Sequence, residues 1–324
     1  MNAEQESEQK VYLSAVIPEK DEAESLPKLY EKINETLTKA GIASFEIIFI
    51  NDGSRDNSQK IIEALHKKDS RVKGIELRKN FGQTAALAAG LEYAKGELIV
   101  TMDADLQNDP ADIPRMIEKL DEGYDIVSGW RKDRKDKLIT RRIPSMIANR
   151  LVAKASGVHL NDYGCALKIY RREALEDFEL YGDMHRFLPI FASMNNGVKI
   201  AELVVNHHAR QFGTSKYGLS RTIKVILDLI TIQFFQRFLK YPMRVFGSVG
   251  MLFLGIGTLV GLYLSYIKIV FGESIGGRPL LLFAVMLFLT GVQLIGLGIL
   301  GEILARIYFD AGKKRPYAIK KVIQ

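Results

Sequence analysis

The chain has 324 residues, 47% of them hydrophobic, and 45 Lys and Arg stand against 38 Asp and Glu for a formal charge of +7. A single cysteine, Cys165, excludes an intrachain disulfide and agrees with a reducing compartment. The positive charge does not call for nucleic acid: basic residues cluster beside two long apolar runs and in Arg131 to Arg142, where anionic lipid and phosphorylated substrates explain them.

From the N-terminus, Met1 to Lys10 is polar and acidic, and no signal peptide is expected. Strands are predicted at Tyr12 to Ile17, Glu46 to Ile50, Val72 to Leu77, Glu97 to Met102 and Asp125 to Ser128. Between them lie helical patterns at Glu22 to Ala40, Asp56 to Lys67, the alanine-rich Gln83 to Ala94, and Pro110 to Leu120. Strands alternating with helices of this length indicate βαβ units and a mostly parallel, Rossmann-like sheet. Neither a G-x-G-x-x-G turn nor a G-x-x-x-x-G-K loop is present, which weighs against dinucleotide oxidoreductases and P-loop enzymes. Arg131 to Arg142 reads as a charged loop, Ile143 to Ala155 as a helix, and Gly164 to Tyr170 and Ala201 to Val205 as further strands.

Leu219 to Leu239 is amphipathic, with Leu219, Ile223, Ile226, Ile230 and Phe234 on one face and Arg221, Lys224 and Asp228 on another, and is predicted to lie in a membrane interface. Val245 to Ile267 and Pro279 to Gly301 carry no charge. At ~1.5 Å per residue each is long enough to cross a ~30 Å bilayer core. The short connection makes them a hairpin. Arg237, Lys240 and Arg244 before it, and Arg306, Lys313, Lys314 and Arg315 after it, place both chain ends in the cytoplasm by the positive-inside rule. Glu302 and Arg306 stand one helical turn apart and read as a structural or oligomer contact, with an acceptor-phosphate site as the alternative. Gly291, Gly296, Gly298 and Gly301 are the small residues on which such hairpins pack against copies of themselves, so a homo-oligomer is expected. The domain reading is a polar tail over 1–10, a cytosolic domain over 11–218, an interfacial helix over 219–241, a hairpin over 242–309 and a basic tail over 310–324.

The chemistry concentrates in Asp103-Ala104-Asp105-Leu106-Gln107, directly after the apolar Leu98-Ile99-Val100. Paired carboxylates at the carboxyl end of a buried strand suit a hard divalent cation, Mg²⁺ or Mn²⁺, whose remaining ligands come from substrate phosphates. Open α/β sheets bind ligands at that edge. The bland reading is helix capping, since Asp109 before Pro110 reads as a helix start.

Ala15-Val16-Ile17-Pro18, Asn51-Asp52-Gly53-Ser54-Arg55-Asp56, the Asp103 to Gln107 run, Arg210-Gln211-Phe212-Gly213-Thr214-Ser215-Lys216-Tyr217-Gly218, Gly298-Ile299-Leu300-Gly301-Glu302 and Arg315-Pro316-Tyr317 follow one another along nearly the whole chain. In that order they resemble the family 2 glycosyltransferases, in particular the polyprenyl-phosphate glycosyltransferases such as dolichol-phosphate mannose synthase and its bacterial glucosyl relatives. The resemblance implies a GT-A fold that binds a nucleotide sugar. It implies that Asp52 contacts the nucleobase, Asp103 the ribose side, and Asp105 with Gln107 the metal on the diphosphate, with Ala104 in the same loop. Lys20 and Asp21 would line the base pocket, with Pro18 and Glu22 also in the nucleotide-sugar site, although Glu19-Lys20-Asp21-Glu22 departs from the family's first motif. Arg131, Arg210 and Lys216, with Ser215 as a hydrogen-bond donor, would stabilise the departing diphosphate. Asp162 would orient groups near the sugar or acceptor, because a lipid phosphate is already an anion and needs no general base; the alternative is a turn residue. His159, His185, His207 and His208 form no trusted metal spacing.

The implied reaction is inverting transfer of one sugar, glucose from UDP-glucose being favoured by Leu106-Gln107, onto undecaprenyl phosphate at the inner membrane. Another donor such as GDP-mannose is the alternative. Three rivals differ in class: a processive polysaccharide synthase, against which the only tryptophan, Trp130, lies in no Q-x-x-R-W motif; a nucleotidyltransferase; and an inactive membrane scaffold.

Overall fold

The computed structural model describes residues 10–132, 153, 157–175, 184–194, 197–209, 242–310 and 315–324. Arg210, Ser215, Lys216, most of the charged stretch after Arg131, nearly all of the helix expected at Ile143 to Ala155, and the interfacial helix expected over 219–241 lie outside the described residues. The described residues form two compact units, one joining the N-terminal part to Arg315–Gln324, the other containing the apolar hairpin.

In the first unit, β1 (Leu13–Glu19), β2 (Phe45–Asn51), β3 (Val72–Leu77) and β4 (Leu98–Thr101) run parallel, with β1 between β2 and β4. β1, β2 and β4 are almost wholly buried, as apolar runs are when helices cover both faces of a parallel sheet. Helix α1 (Leu26–Lys39) buries Leu26, Leu29, Tyr30, Ile33 and Leu37, a stripe at helical spacing. It starts later than expected because Glu22 to Ser25 close a turn, in which Ser25 Oγ donates to Glu22 O at 2.9 Å. Helix α2 (Ser58–Lys68) covers β3, while α3 (Gln83–Tyr93) lies against β1 and β2. The close approach of α3 rests on Gly90, where a Cβ would stand 2.4 Å from Val16 Cγ1. The helix expected from Pro110 opens as a 3-10 turn, Pro110–Asp112, and continues as α4 (Ile113–Asp121).

The sheet continues through β5 (Ile126–Trp130), β6 (Lys168–Arg171) and β7 (Ile200–Val204). A final strand, β8 (Ile319–Ile323), gives the order β7-β5-β6-β4-β1-β2-β3-β8. β6 and β8 run antiparallel to their neighbours. The carboxyl ends of β1, β2, β4 and β5 therefore share one edge of the sheet, and the start of β6 joins them there, because Lys168 stands opposite Thr101 and Ser128. The direction of winding reverses between β1 and β4, where such sheets open a ligand crevice.

β8 lies within the stretch read as a basic tail, and residues 315–324 belong to the first unit. Glu92, near the end of α3, accepts from both Arg315 and the Tyr317 hydroxyl, Lys320 pairs with Glu76 at 2.6 Å and Lys321 with Glu63 at 2.7 Å.

In the second unit, α6 (Pro242–Phe271) and α7 (Pro279–Asp310) pack side by side; α5 (Leu188–Met194) precedes them in the first. The expected spans fall inside these two helices, both long and apolar enough to cross a membrane. Leu252, Leu259, Leu282 and Ile269 are 59–81% exposed, a surface suited to lipid rather than water. Three of the four glycines named for self-packing make close approaches within the hairpin. A Cβ on Gly291 would meet Leu254 N at 2.6 Å, one on Gly298 Met243 Sδ at 3.0 Å, and one on Gly301 Pro242 Cβ at 2.9 Å. Gly296 faces open space.

Candidate active site

The acidic loop leaves β4 in an alternating conformation. Met102, Ala104, Leu106 and Asn108 are buried, while Asp103, Asp105, Gln107 and Asp109 are partly exposed. Leu106 has φ 60°, in the left-handed region a leucine seldom adopts. Such strain persists only where the surroundings over-determine it. Here the segment after β7 braces the loop: His208 N donates to Gln107 O at 2.9 Å, Asn108 bridges to His207, and His208 Nε2 lies 2.8 Å from Asp109 Oδ2. His207 and His208 thus support the acidic loop.

Within the loop, Gln107 N donates to Asp105 Oδ1 at 3.1 Å, and Gln83 Nε2 at the start of α3 donates to Asp103 Oδ1 at 2.7 Å. Burial first, then the like charge of Asp105, push the Asp103 carboxyl up to about 6, against the pull of Arg131, Lys168 and Arg186. A bound cation would relieve the like-charge crowding at Asp103. Among the described residues no group of three His, Cys, Asp or Glu side chains is placed to hold a metal. Two carboxylates and the Gln107 amide, all hard oxygen donors and partly exposed, fit a Mg²⁺ or Mn²⁺ ion that completes its shell from elsewhere.

The β1 and β2 loops are laced together beside this. Asp21, itself at φ 56°, donates from its N–H to Ser54 Oγ at 2.9 Å and accepts from Arg55 N at 2.7 Å. Glu22 N reaches Ser58 Oγ at 3.2 Å. Pro18 is partly exposed opposite Ile50, and Glu19, the departure from the family motif, is buried at 3% exposure with Ser54 Oγ donating to its carboxyl at 3.1 Å. Asp52 uses its two oxygens on the loop after β3, accepting from Phe81 N at 2.7 Å and Gly82 N at 2.9 Å. Gly53 is required here: its φ is +67°, and a Cβ would meet Asn80 N at 2.6 Å.

At the end of β5, Arg131 grips Asp162 with Nε at 2.7 Å and Nη2 at 3.0 Å. Gly164 N adds a bond to Asp162 Oδ1 at 3.1 Å, and Glu202 accepts from Asp162 N at 2.8 Å. Burial works against the Arg131 charge, but the Asp162 carboxylate more than offsets it and holds the guanidinium above its ordinary pKa. Lys168, 3% exposed, donates to Cys165 O at 2.5 Å and Tyr163 O at 3.3 Å; burial brings its pKa down to about 8. The strand expected from Gly164 begins only at Lys168, because Asp162 to Cys165 form the turn these two cations hold.

The fold therefore gathers Asp103, Asp105, Gln107, Arg131 and Asp162 at one sheet edge, with Pro18 near the end of β1 and Asp21, Glu22 and Asp52 in the adjoining loops. Gln83, Lys168, His185 and Arg186 join them without having been foreseen. Each lies roughly 20 to 80 residues from the acidic loop, and no local pattern marks them.

The profile of the family described as Glycosyl transferase family 2 matches residues 14–178. A dodecaprenyl-phosphate galacturonate synthase of Rhizobium johnstonii is 42% identical over 320 residues, covering 97% of this chain and 94% of that protein. An undecaprenyl-phosphate 4-deoxy-4-formamido-L-arabinose transferase of Shewanella sediminis is 39% identical, covering 96% and 92%. Among solved structures, the glucosyl-3-phosphoglycerate synthase of Mycobacterium tuberculosis in complex with Mn²⁺ and uridine-diphosphate-glucose is 19% identical. It superposes with a TM-score of 0.52 over 68% of this chain and 79% of that one, a likeness of fold. The mostly parallel sheet, the acidic loop at its switch point and these relatives lead to one assignment: the chain belongs to glycosyl transferase family 2, and it is a glycosyltransferase.

Proposed function

We propose that this glycosyltransferase moves one sugar from a nucleoside diphosphate donor to a polyprenyl phosphate, with inversion at the anomeric carbon. The observation that carries the reading is the partly exposed Asp103–Asp105 pair at the switch point of a chain that also carries a membrane hairpin. The names of the two relatives quoted, both for transferases acting with polyprenyl phosphate, support the acceptor. UDP-glucose is the donor proposed from Leu106-Gln107. UDP-galacturonate is the second reading, favoured by the name of the 42% identical relative.

Asp105 and Gln107 would hold a divalent ion, which supplies charge neutralisation to the departing diphosphate. Asp103, aligned by Gln83, faces the ribose side. Arg131, fixed by Asp162, contributes an oriented positive charge, so that Asp162 acts by orientation and takes no proton. Arg210, Ser215 and Lys216 are proposed as further phosphate contacts. A lipid phosphate oxygen attacks the anomeric carbon, the bond to the diphosphate oxygen breaks, and the nucleoside diphosphate leaves with that electron pair. The acceptor is an anion at neutral pH, so no general base is needed. The proposed location is the inner membrane, with the catalytic unit and both termini cytoplasmic. Anchoring in the membrane that holds the acceptor replaces a three-dimensional search with proximity.

The test is lipid extraction after incubating the full chain with Mg²⁺ or Mn²⁺, undecaprenyl phosphate and labelled UDP-glucose, UDP-galacturonate, UDP-4-deoxy-4-formamido-L-arabinose or GDP-mannose. Label is expected to enter the lipid phase from one donor and to fall on the order of 100-fold or more with chelator or Asp105→Ala. Release of pyrophosphate would identify a nucleotidyltransferase instead. Unchanged function with Asp105→Ala would favour a scaffold.

A further inference from the structure

Within the hairpin, α7 turns two faces in opposite directions. Gly291 and Gly298 lie on the face against α6, where a Cβ on Gly250 would stand 2.8 Å from Gly291 O. On the other side, Leu282, Met286, Leu289, Gln293, Gly296 and Leu300 follow one another at steps of four, three, four, three and four. That mean spacing makes a straight seam along which two helices pack side by side. Its four apolar side chains are 54–70% exposed, and a Cβ on Gly296 would meet nothing within 4 Å. Gln293 stands at the centre of the seam and near the middle of the span Pro279–Leu304. At ~1.5 Å per residue it is more than ~15 Å from either end, too deep for its side chain to reach water. It is exposed, and its amide has no hydrogen-bond partner among the described residues. Hydroxyls of the same hairpin are satisfied by their own helix: Thr258 Oγ1 donates to Leu254 O at 2.7 Å, and Ser265 Oγ to Gly261 O at 2.9 Å. An amide turned toward hydrocarbon costs free energy until it is paired.

We propose that the Gln293 face of α7 is an interface with a second copy of this chain, the two α7 helices packing along the seam with their Gln293 amides hydrogen-bonded to each other. A lipid tail, the polyprenyl chain included, offers neither donor nor acceptor. A carboxamide offers both, so glutamine is its own complement. A two-fold axis through the seam sets each Gln293 against its own copy. One polar residue in an apolar seam also fixes the register of the pair. Gly296, three residues on, lets the backbones approach there. The inference concerns the anchor alone and is independent of the sugar and acceptor.

The test uses the full chain. In membranes, Gln293→Cys, Met286→Cys and Val292→Cys are oxidised with copper phenanthroline; the natural Cys165 is buried in the first unit, and wild type is the blank. Disulfide-linked dimers are expected from Gln293→Cys and Met286→Cys. At most a trace is expected from Val292→Cys, which is exposed at the same depth but about 100° round the helix from Gln293. In mild detergent, sedimentation equilibrium compares wild type, Gln293→Leu and Gln293→Asn. The dissociation constant of the dimer should rise roughly 3- to 30-fold in Gln293→Leu and less in Gln293→Asn. Melting temperatures should stay close to wild type, because leucine suits lipid. Equal cross-linking at all three positions or at none, cross-links only to a different protein, a monomeric wild type, or a dissociation constant unmoved by Gln293→Leu would each overturn the proposal. All of these leave the glycosyltransferase reading intact.

Discussion

Two acidic groups at the same sheet edge are treated in opposite ways. Asp162 is buried and receives two guanidinium bonds and two backbone N–H groups, those of Arg131 and Gly164. Asp103 and Asp105 are partly exposed, two residues apart, and repel each other. The first arrangement is complete within the chain; the second becomes favourable when a cation arrives. On the proposed reading, the difference is between a carboxylate satisfied within the fold and carboxylates kept for a ligand.

The sharpest way to break this comparison is Asp162→Asn. It leaves the Arg131 charge without its counter-ion in a buried place, at a cost of about 3–5 kcal/mol. The melting temperature is expected to drop by roughly 10 °C. An unchanged melting temperature with loss of nucleotide binding would move Asp162 to the ligand side.

Asp103→Asn should act in the reverse direction. It removes the like-charge repulsion and keeps an oxygen for Gln83, so the melting temperature should rise by about 2–4 °C at pH 7.5. Binding of UDP with Mn²⁺, followed by calorimetry, should weaken. A protein that is destabilised yet binds normally would contradict the assignment.

Glu19→Gln extends the comparison to a third acid, buried like Asp162 but facing the Ser54 hydroxyl rather than a guanidinium. Burial pushes its carboxyl from 4.5 to about 8. A folded pKa above the unfolded one gives stability that is full below the unfolded value and lost as pH rises through the folded value. Wild type should therefore lose stability between about pH 4.5 and 8, and Glu19→Gln should not. The variant's melting temperature should gain a few degrees on wild type between pH 5 and 8; parallel pH profiles would show that Glu19 ionises as an ordinary carboxylate.

The strands and helices up to β5 were legible because each is an uninterrupted local pattern: apolar runs for β1, β2 and β4, and a helical stripe for α1. The acidic loop was legible because its carboxylates are neighbours. The Arg131–Asp162 pair was not, since its members lie 31 residues apart and meet only when β5 and β6 align. β8 was hidden for a related reason. Ile319-Lys320-Lys321-Val322-Ile323 breaks the alternation of a strand and looks like a basic tail. Its lysines are matched by Glu76 and Glu63, more than 240 residues earlier, and only the folded sheet brings those partners to it.

That last strand also fixes an order of assembly. β8 follows the hairpin along the chain but pairs with β3, so ribosomes deliver both apolar helices before they deliver the residues that cover the β3 edge. Until then the edge presents unpaired backbone groups. The catalytic sheet is thus completed after its anchor has been made, and a fragment ending before α6 is the same sheet with its outermost strand missing.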